Sequence, residues 1–206
     1  MKQRAIHITN KLIEKGVINA DYKEIYRYGF ESLFSAAFEL ISIFVLAFLF
    51  GNFFETLLFF LTFIPLRLYA GGYHARTHFK CYILSIMMYI LFSAIIYFTP
   101  SNLIAGFSLI FSLLSLIIVF LFSPVVHSNR YADKEHINKC RKISLIIVAL
   151  GTLFIFVGSC IFPKSIAIFA MSLGFLTECI SIVAVKINRK RRDKNEVFER
   201  QSDSIY

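Results

Sequence analysis

The stretch Arg67-Leu68-Tyr69-Ala70-Gly71-Gly72-Tyr73-His74-Ala75-Arg76-Thr77-His78-Phe79-Lys80-Cys81-Tyr82-Ile83-Leu84-Ser85 brings two imidazoles and a thiol close together in sequence. A thiol served by an imidazole is an activated nucleophile: the base takes the proton and the sulfur attacks a carbonyl. The paired glycines allow a sharp backbone turn and permit positive φ. An apolar helix follows, so Cys81 falls near a helix N-terminus with Arg76 and Lys80 close in sequence. The helix end and the two cations all favour thiolate over thiol. The choice of base is open at this level. On a continuous helix His78 and Cys81 share a face, whereas His74 lies about 10 Å away along the axis. His74 can reach Cys81 only if the chain folds back after Gly71-Gly72, so spacing alone favours His78. Zinc is a further reading, because His74, His78 and Cys81 also fall at i, i+4 and i+7, three ligands with an open position. The carboxylate base of an HExxH pattern is missing, so neither metal nor cofactor is expected. The bland reading is a small apolar Cys at the edge of a span with His residues near the headgroups.

The elements that must position these groups follow from composition. The 206 residues are 57% hydrophobic and 17% charged, with a mean hydropathy of +0.68. Soluble domains are about a quarter charged, so most of this chain has no means of facing water. It reads as an integral membrane protein. Six apolar runs stand out, at about Leu33–Phe50, Phe53–Leu68, Tyr82–Phe98, Leu103–Phe122, Ile143–Phe162 and Ile166–Val185. A helix crosses a hydrocarbon core of roughly 30 Å in about 20 residues. The second run is short and needs local thinning or a partly re-entrant path. The expected fold is therefore all-α and polytopic, with six transmembrane helices in one integral membrane domain, 1–206.

Charge sets the expected orientation. The turns Gly51-Asn52, Thr99–Asn102 and Pro163–Ser165 hold one basic residue, Lys164. Every other Lys and Arg lies in the N-terminal segment, in Arg67–Lys80, in the 123–142 loop or from Lys186 onward. Six spans put those four regions on one side, and the positive-inside rule makes it cytoplasmic, with both termini inside. The net charge of +9 is thus explained by topology and lipid attraction, and no nucleic acid is expected. Residues 1–30 read as cytoplasmic interfacial helices, 31–185 as the spans and 186–206 as a basic tail. In the first of these, Ala5, Thr9, Leu12, Ile13 and Gly16 share a face away from Lys11 and Lys15. Asp21-Tyr22-Lys23-Glu24 resembles a capping box that restarts a helix. No cleavable signal peptide is visible. Cys81, Cys140, Cys160 and Cys179 lack metal-ligand spacing, and Cys160 and Cys179 read as packing residues. Glu39 and Glu178 lie inside spans, where a carboxylate needs a partner or a proton. Glu178 can pair with a loop Arg, and an interhelical hydrogen bond is the favoured reading for both.

Taken together, Arg67-x-x-Ala70-Gly71-Gly72-x-His74 followed by Cys81-Tyr82-x-x-Ser85, Tyr28-Gly29-Phe30-Glu31 before the first span and the basic Cys140-Arg141-Lys142 edge resemble the accessory gene regulator B (AgrB) family. That resemblance implies a membrane-embedded cysteine endopeptidase that processes a quorum-sensing propeptide of AgrD type in the plasma membrane of a Gram-positive bacterium. It assigns Cys81 as nucleophile and His74 as base, leaves His78 without a role, and implies a homodimer and a thiolactone product. Arg67 either binds a peptide carboxylate or anchors the loop, Gly71 and Gly72 form the turn, and Ser85 supports the thiolate or bonds its own helix. Glu39, Arg76, Lys80, Arg141 and Lys142 are candidate substrate-binding residues, Glu39 lining a peptide cavity and the four cations forming with the other cytoplasmic Lys and Arg a vestibule for an acidic peptide. Around Ser123–Tyr131 the sequence departs from the family, which is richer in Lys and Pro there. The alternatives are an export component for a small peptide without proteolysis and a structural membrane protein.

Overall fold

The structure, a computed structural model, describes residues 2–73, 77–125 and 133–203, the last fifteen of these by backbone alone. It is all-helical among the described residues: α1 (Lys2–Glu14), α2 (Lys23–Leu49), α3 (Phe53–Ala70), α4 (His78–Phe98), α5 (Ile104–Phe122), α6 (Lys134–Ile161) and α7 (Ile166–Asp203), with a 3-10 turn at Ala20–Tyr22. Six helices are long and apolar enough to cross a membrane. The second of them, α3, gains two residues over the apolar run and ends at Ala70. At 1.5 Å per residue its length comes to about 27 Å, close to the hydrocarbon thickness.

Three helices outrun the apolar runs that announced them. The first span begins at Lys23, so the last of the residues read as interfacial, 23–30, continue into it without a break, while α1 stays a separate helix. The expected 123–142 loop is shorter, because α6 starts at Lys134 and carries Cys140, Arg141 and Lys142 on its opening turns. The basic tail is helical through Asp203. Lys, Arg and Glu are good helix formers, and past Gly174 no Gly or Pro interrupts α7. The capping box at Asp21 does not form. Tyr22 caps α2 with no side-chain hydrogen bond, while Asn19 accepts the N–H of Asp21 at 3.3 Å and caps the 3-10 turn instead. Asn19 sits two residues before its donor, the short reach an Asx side chain favours.

The chain divides into two compact units, Met1–Phe53 with His74–Ser93, and Phe54–Tyr73 with Ala94–Tyr206. In the first, α1 packs on α2 and buries Ala5 and Thr9, with Leu12 and Ile13 half-buried and Lys11 and Lys15 exposed. Gly16 is exposed and lies beyond the helix at φ +69°, so it ends α1 instead of joining its buried face. Asn52 ties the α2–α3 turn to α4, giving its amide N–H to Ser93 and accepting from the Tyr89 hydroxyl, both at 2.8 Å.

In the second unit α5 packs against α6 and α7. Ser108, Ser112 and Ser115 form a fully buried row along α5, and each hydroxyl bonds a carbonyl one turn earlier. Small residues let the helix backbones approach, which replaces the missing hydrophobic drive between helices in lipid. Thr152 on α6 and Cys179 on α7 donate to α5 carbonyls at 3.3 and 3.6 Å. Leu66, Val119, Val148, Ile155, Phe175 and Ile182 fill the space between.

Candidate functional site

The sequence motif is split between the two units. Its first half ends α3. Arg67 lies in the last turn of that helix, where its guanidinium carbon stands over the Phe63 ring, 5.8 Å from the centroid. Its Nη1 reaches Glu178 Oε2 at 3.1 Å and Ser181 Oγ at 2.5 Å, both on α7. Its Nη2 donates to the Tyr73 carbonyl. Ser181 Oγ also accepts the Tyr73 N–H at 2.8 Å. Arg67 thus anchors the loop, one of the two roles open to it from sequence. Glu178 is fully buried and pairs with an arginine, as a carboxylate inside a span must. A fixed guanidinium is the expected partner, since its fork satisfies several acceptors at once.

The two glycines are needed for different reasons. Gly71 adopts φ +72°, a conformation other residues avoid, and a Cβ there would stand 2.6 Å from the Val125 carbonyl oxygen. Val125 in turn donates its N–H to the Ala70 carbonyl at 2.8 Å, closing the C-terminal end of α3. Gly72 needs no special φ but is buried. A Cβ on it would run into Arg67 Nη1, Ser181 Oγ at 2.6 Å and Glu178 Oε1 at 2.8 Å. The pair is a hinge followed by a gap that the ion pair fills.

The second half of the motif opens α4. Thr77 accepts the Lys80 N–H on its hydroxyl at 3.3 Å and the Cys81 N–H on its carbonyl at 3.1 Å, the geometry of an N-cap. Cys81 therefore sits in the first turn of a helix, half-buried, as its position in sequence implies. His78 shares that turn, and its ring lies 6.1 Å from the ring of Tyr28 on α2. Ser85 follows Cys81 by one turn, half-buried, and Lys80 is exposed. Tyr82 packs on Phe38 at 5.6 Å. His74 and Arg76 lie outside the described residues, so the expected His74–Cys81 pairing and the zinc triplet built on His74 do too. Among the described residues no group of three His, Cys, Asp or Glu is placed to hold a metal.

The remaining sequence candidates are scattered. Glu39 is half-buried in the middle of α2, and no ion pair to it is formed among the described residues. Arg141 and Lys142 are exposed on α6. Cys179 packs as expected, whereas Cys160 is exposed, because it falls on the outer face of α6. Two features escaped the sequence reading. Ser181, an apparently ordinary span serine, is the hub of the loop anchor. His136 and Cys140 face each other one turn apart at 3.6 Å, a spacing visible in the sequence but overshadowed by the basic residues around it.

The arrangement of the motif matches a known pattern over most of the chain. The sequence pattern of the family described as Accessory gene regulator B matches residues 5–182. The chain belongs to the Accessory gene regulator B family. Among its relatives, Accessory gene regulator protein B of Staphylococcus carnosus (strain TM300) is 33% identical over 123 residues, 60% of this chain and 63% of that protein. The protein of the same name from Staphylococcus aureus (strain Newman) is 30% identical over 159 residues, 77% of this chain and 80% of its own length. Protein FsrB of Enterococcus faecalis (strain OG1RF) is 27% identical over 124 residues, 60% of this chain and 51% of its own. The match thus spans just under two thirds of the first of these Accessory gene regulator B relatives and about half of FsrB. No solved structure matches the chain.

Proposed function

We propose that this Accessory gene regulator B family member is a membrane-embedded cysteine endopeptidase. It removes the C-terminal part of a quorum-sensing propeptide of AgrD type and promotes closure of a thiolactone ring. The reading rests above all on Cys81 in the capped first turn of α4, in a chain whose residues 5–182 match the family. The positive end of a helix stabilises negative charge placed there. Cys81 sulfur attacks the scissile carbonyl, the C–N bond breaks, and His74 returns the proton to the departing amine. The peptide is left as a thioester on Cys81. A thiol within the bound peptide then attacks the thioester carbonyl and displaces the Cys81 thiolate, closing the ring. Holding that thiol close favours ring closure over hydrolysis.

Ser85 supports the sulfur, and Arg67, Gly71 and Gly72 shape the segment before His74. The cations Arg76, Lys80, Arg141 and Lys142 contact an acidic part of the peptide, with binding that weakens as salt rises, and Glu39 lines the peptide-binding cavity. The chain works as one integral membrane domain in the plasma membrane, with both termini and the active site on the cytoplasmic side, in contact with anionic lipid and as a homodimer. The test is reconstitution of the full chain in liposomes with candidate propeptides, followed by mass spectrometry of the protein. A peptide adduct on Cys81, absent in Cys81→Ala and absent or trapped in His74→Ala, is the expected result. Cleavage that survives both substitutions, or none with the wild-type chain and the propeptide encoded beside it, overturns the reading.

A further inference from the structure

Both backbone polar groups of Tyr73 are held by side chains: its N–H by Ser181 of α7 and its C=O by Arg67 at the end of α3, which Glu178 and Ser181 of α7 hold in turn. We propose that Glu178 and Ser181 on α7 are positioning residues for the acyl transfer proposed above, on which this role depends. They set the path of Gly71-Gly72-Tyr73 and so the peptide group that leads onward from Tyr73.

Several observations converge on this role. Peptide groups are planar, so fixing the carbonyl of Tyr73 fixes the orientation of the whole following amide. Fixing its N–H as well leaves the residue little rotational freedom. Glu178 is fully buried in an apolar helix, where a carboxylate is expensive and an ion pair is weak as a source of stability. A lone arginine at the end of a span would extend its head to water. The carboxylate instead holds the guanidinium in place, with its second nitrogen turned to the loop. Gly72 is bare where a side chain would occupy this cluster, so the loop backbone packs directly on the ion pair. Glu178 and Ser181 are three residues apart and share one face of α7. Ser172, nine residues earlier on α7, shows the contrast: its hydroxyl is spent on its own helix, at the Phe169 carbonyl.

The experiment uses the full chain in lipid nanodiscs, with Glu178→Gln, Ser181→Ala, Ser181→Thr and, as a control, Ser172→Ala. Amide hydrogen exchange at Tyr73 is read without substrate, and cleavage of the propeptide is read as kcat and KM. Loss of one such hydrogen bond is expected to speed Tyr73 exchange by about tenfold or more in Ser181→Ala and Glu178→Gln. In the same variants kcat should fall by roughly 10- to 100-fold with KM little changed, as for a misplacement that leaves binding intact. Ser181→Thr restores the hydroxyl and should recover both readouts, and Ser172→Ala should move neither. Unchanged Tyr73 exchange in both Ser181→Ala and Glu178→Gln overturns the role. So does accelerated exchange with wild-type kcat. A wild-type chain that forms no Cys81 adduct sinks the endopeptidase reading instead, while the exchange data still decide whether α7 holds Tyr73.

Discussion

Residues Arg67–Tyr73 and the first turn of α4 belong to one sequence motif, but their surroundings differ. The first are tied by polar side chains to α7, whose span is 56% buried, the largest share among the spans of the described residues. The second opens a helix whose span is 11% buried, the same share as α2. In the first unit the motif makes aromatic contacts with α2: Tyr28 on His78 and Phe38 on Tyr82. Rigidity of the loop before His74 is therefore bound up with the interior of the second unit. The segment bearing Cys81 carries a helix cap and ring contacts to α2. One half of this motif is thus pinned by polar partners more than a hundred residues away, whereas the start of the other is capped locally.

The sharpest way to break that comparison is to remove the cation from one buried carboxylate and truncate the other intramembrane carboxylate outright. Arg67→Ala leaves Glu178 buried without its partner, and such a loss destabilises by about 3–5 kcal/mol. Glu39→Ala, on a half-buried residue with no ion pair among the described residues, should stay within about 0.5 kcal/mol. Thermal unfolding in detergent, followed by circular dichroism, checks both. Equal effects would erase the distinction between the two units.

Packing supplies a second, smaller contrast. A Cβ on Gly174 of α7 would meet Thr62 Oγ1 and, at 2.6 Å, the Phe59 carbonyl oxygen of α3. Thr62 donates to the Met171 carbonyl at 3.0 Å across the same contact. Gly174→Val should therefore push α3 from α7 and cost about 1–3 kcal/mol. Gly29→Val in α2, where nothing lies within 4 Å of the added carbon, should change the unfolding midpoint far less.

What the sequence revealed and what it withheld divide along the same line. The spans and their even number are legible because hydropathy is a local sum, and the place of Cys81 at a helix start follows from where the apolar run begins. Helix ends are less legible, since Lys134–Lys142 and the residues after Lys186 are polar yet helix-forming, and polarity alone reads as loop. That Glu178 needs a partner is implied by its place in a span, but Arg67 lies 111 residues away, a pairing that no spacing rule reaches. Ser181 is harder still. Nothing local distinguishes it from Ser108, Ser112 or Ser115, whose hydroxyls bond their own helix.

The polar tie of the first unit gives a prediction of intermediate size. Asn52 joins Ser93 and Tyr89 at the end of α2 opposite Lys23. Interhelical hydrogen bonds in membranes are worth only about 0.6 kcal/mol on average. Asn52→Ala removes two of them, so about 1–2 kcal/mol of stability is expected to go. The loss should leave hydrogen exchange at Tyr73 unchanged, since the Tyr73 anchors lie in the other unit. Faster Tyr73 exchange in Asn52→Ala would show that the two halves of the motif are not held independently.

The smallest effect belongs to the cap of α4, and it separates local from long-range control of Cys81. Thr77→Ala removes the hydroxyl that accepts the Lys80 N–H, and loss of an N-cap costs about 1 kcal/mol. Because a cap acts on the first turn only, global unfolding should shift little while that turn frays. Cys81, whose N–H also depends on Thr77, should then react faster with a bulky maleimide. Thr77→Ser, which keeps an acceptor oxygen, should restore the wild-type rate. If alkylation of Cys81 instead responds to Arg67→Ala and not to Thr77→Ala, the thiol is governed by the α7 anchor, and the proposed division of labour within the motif fails.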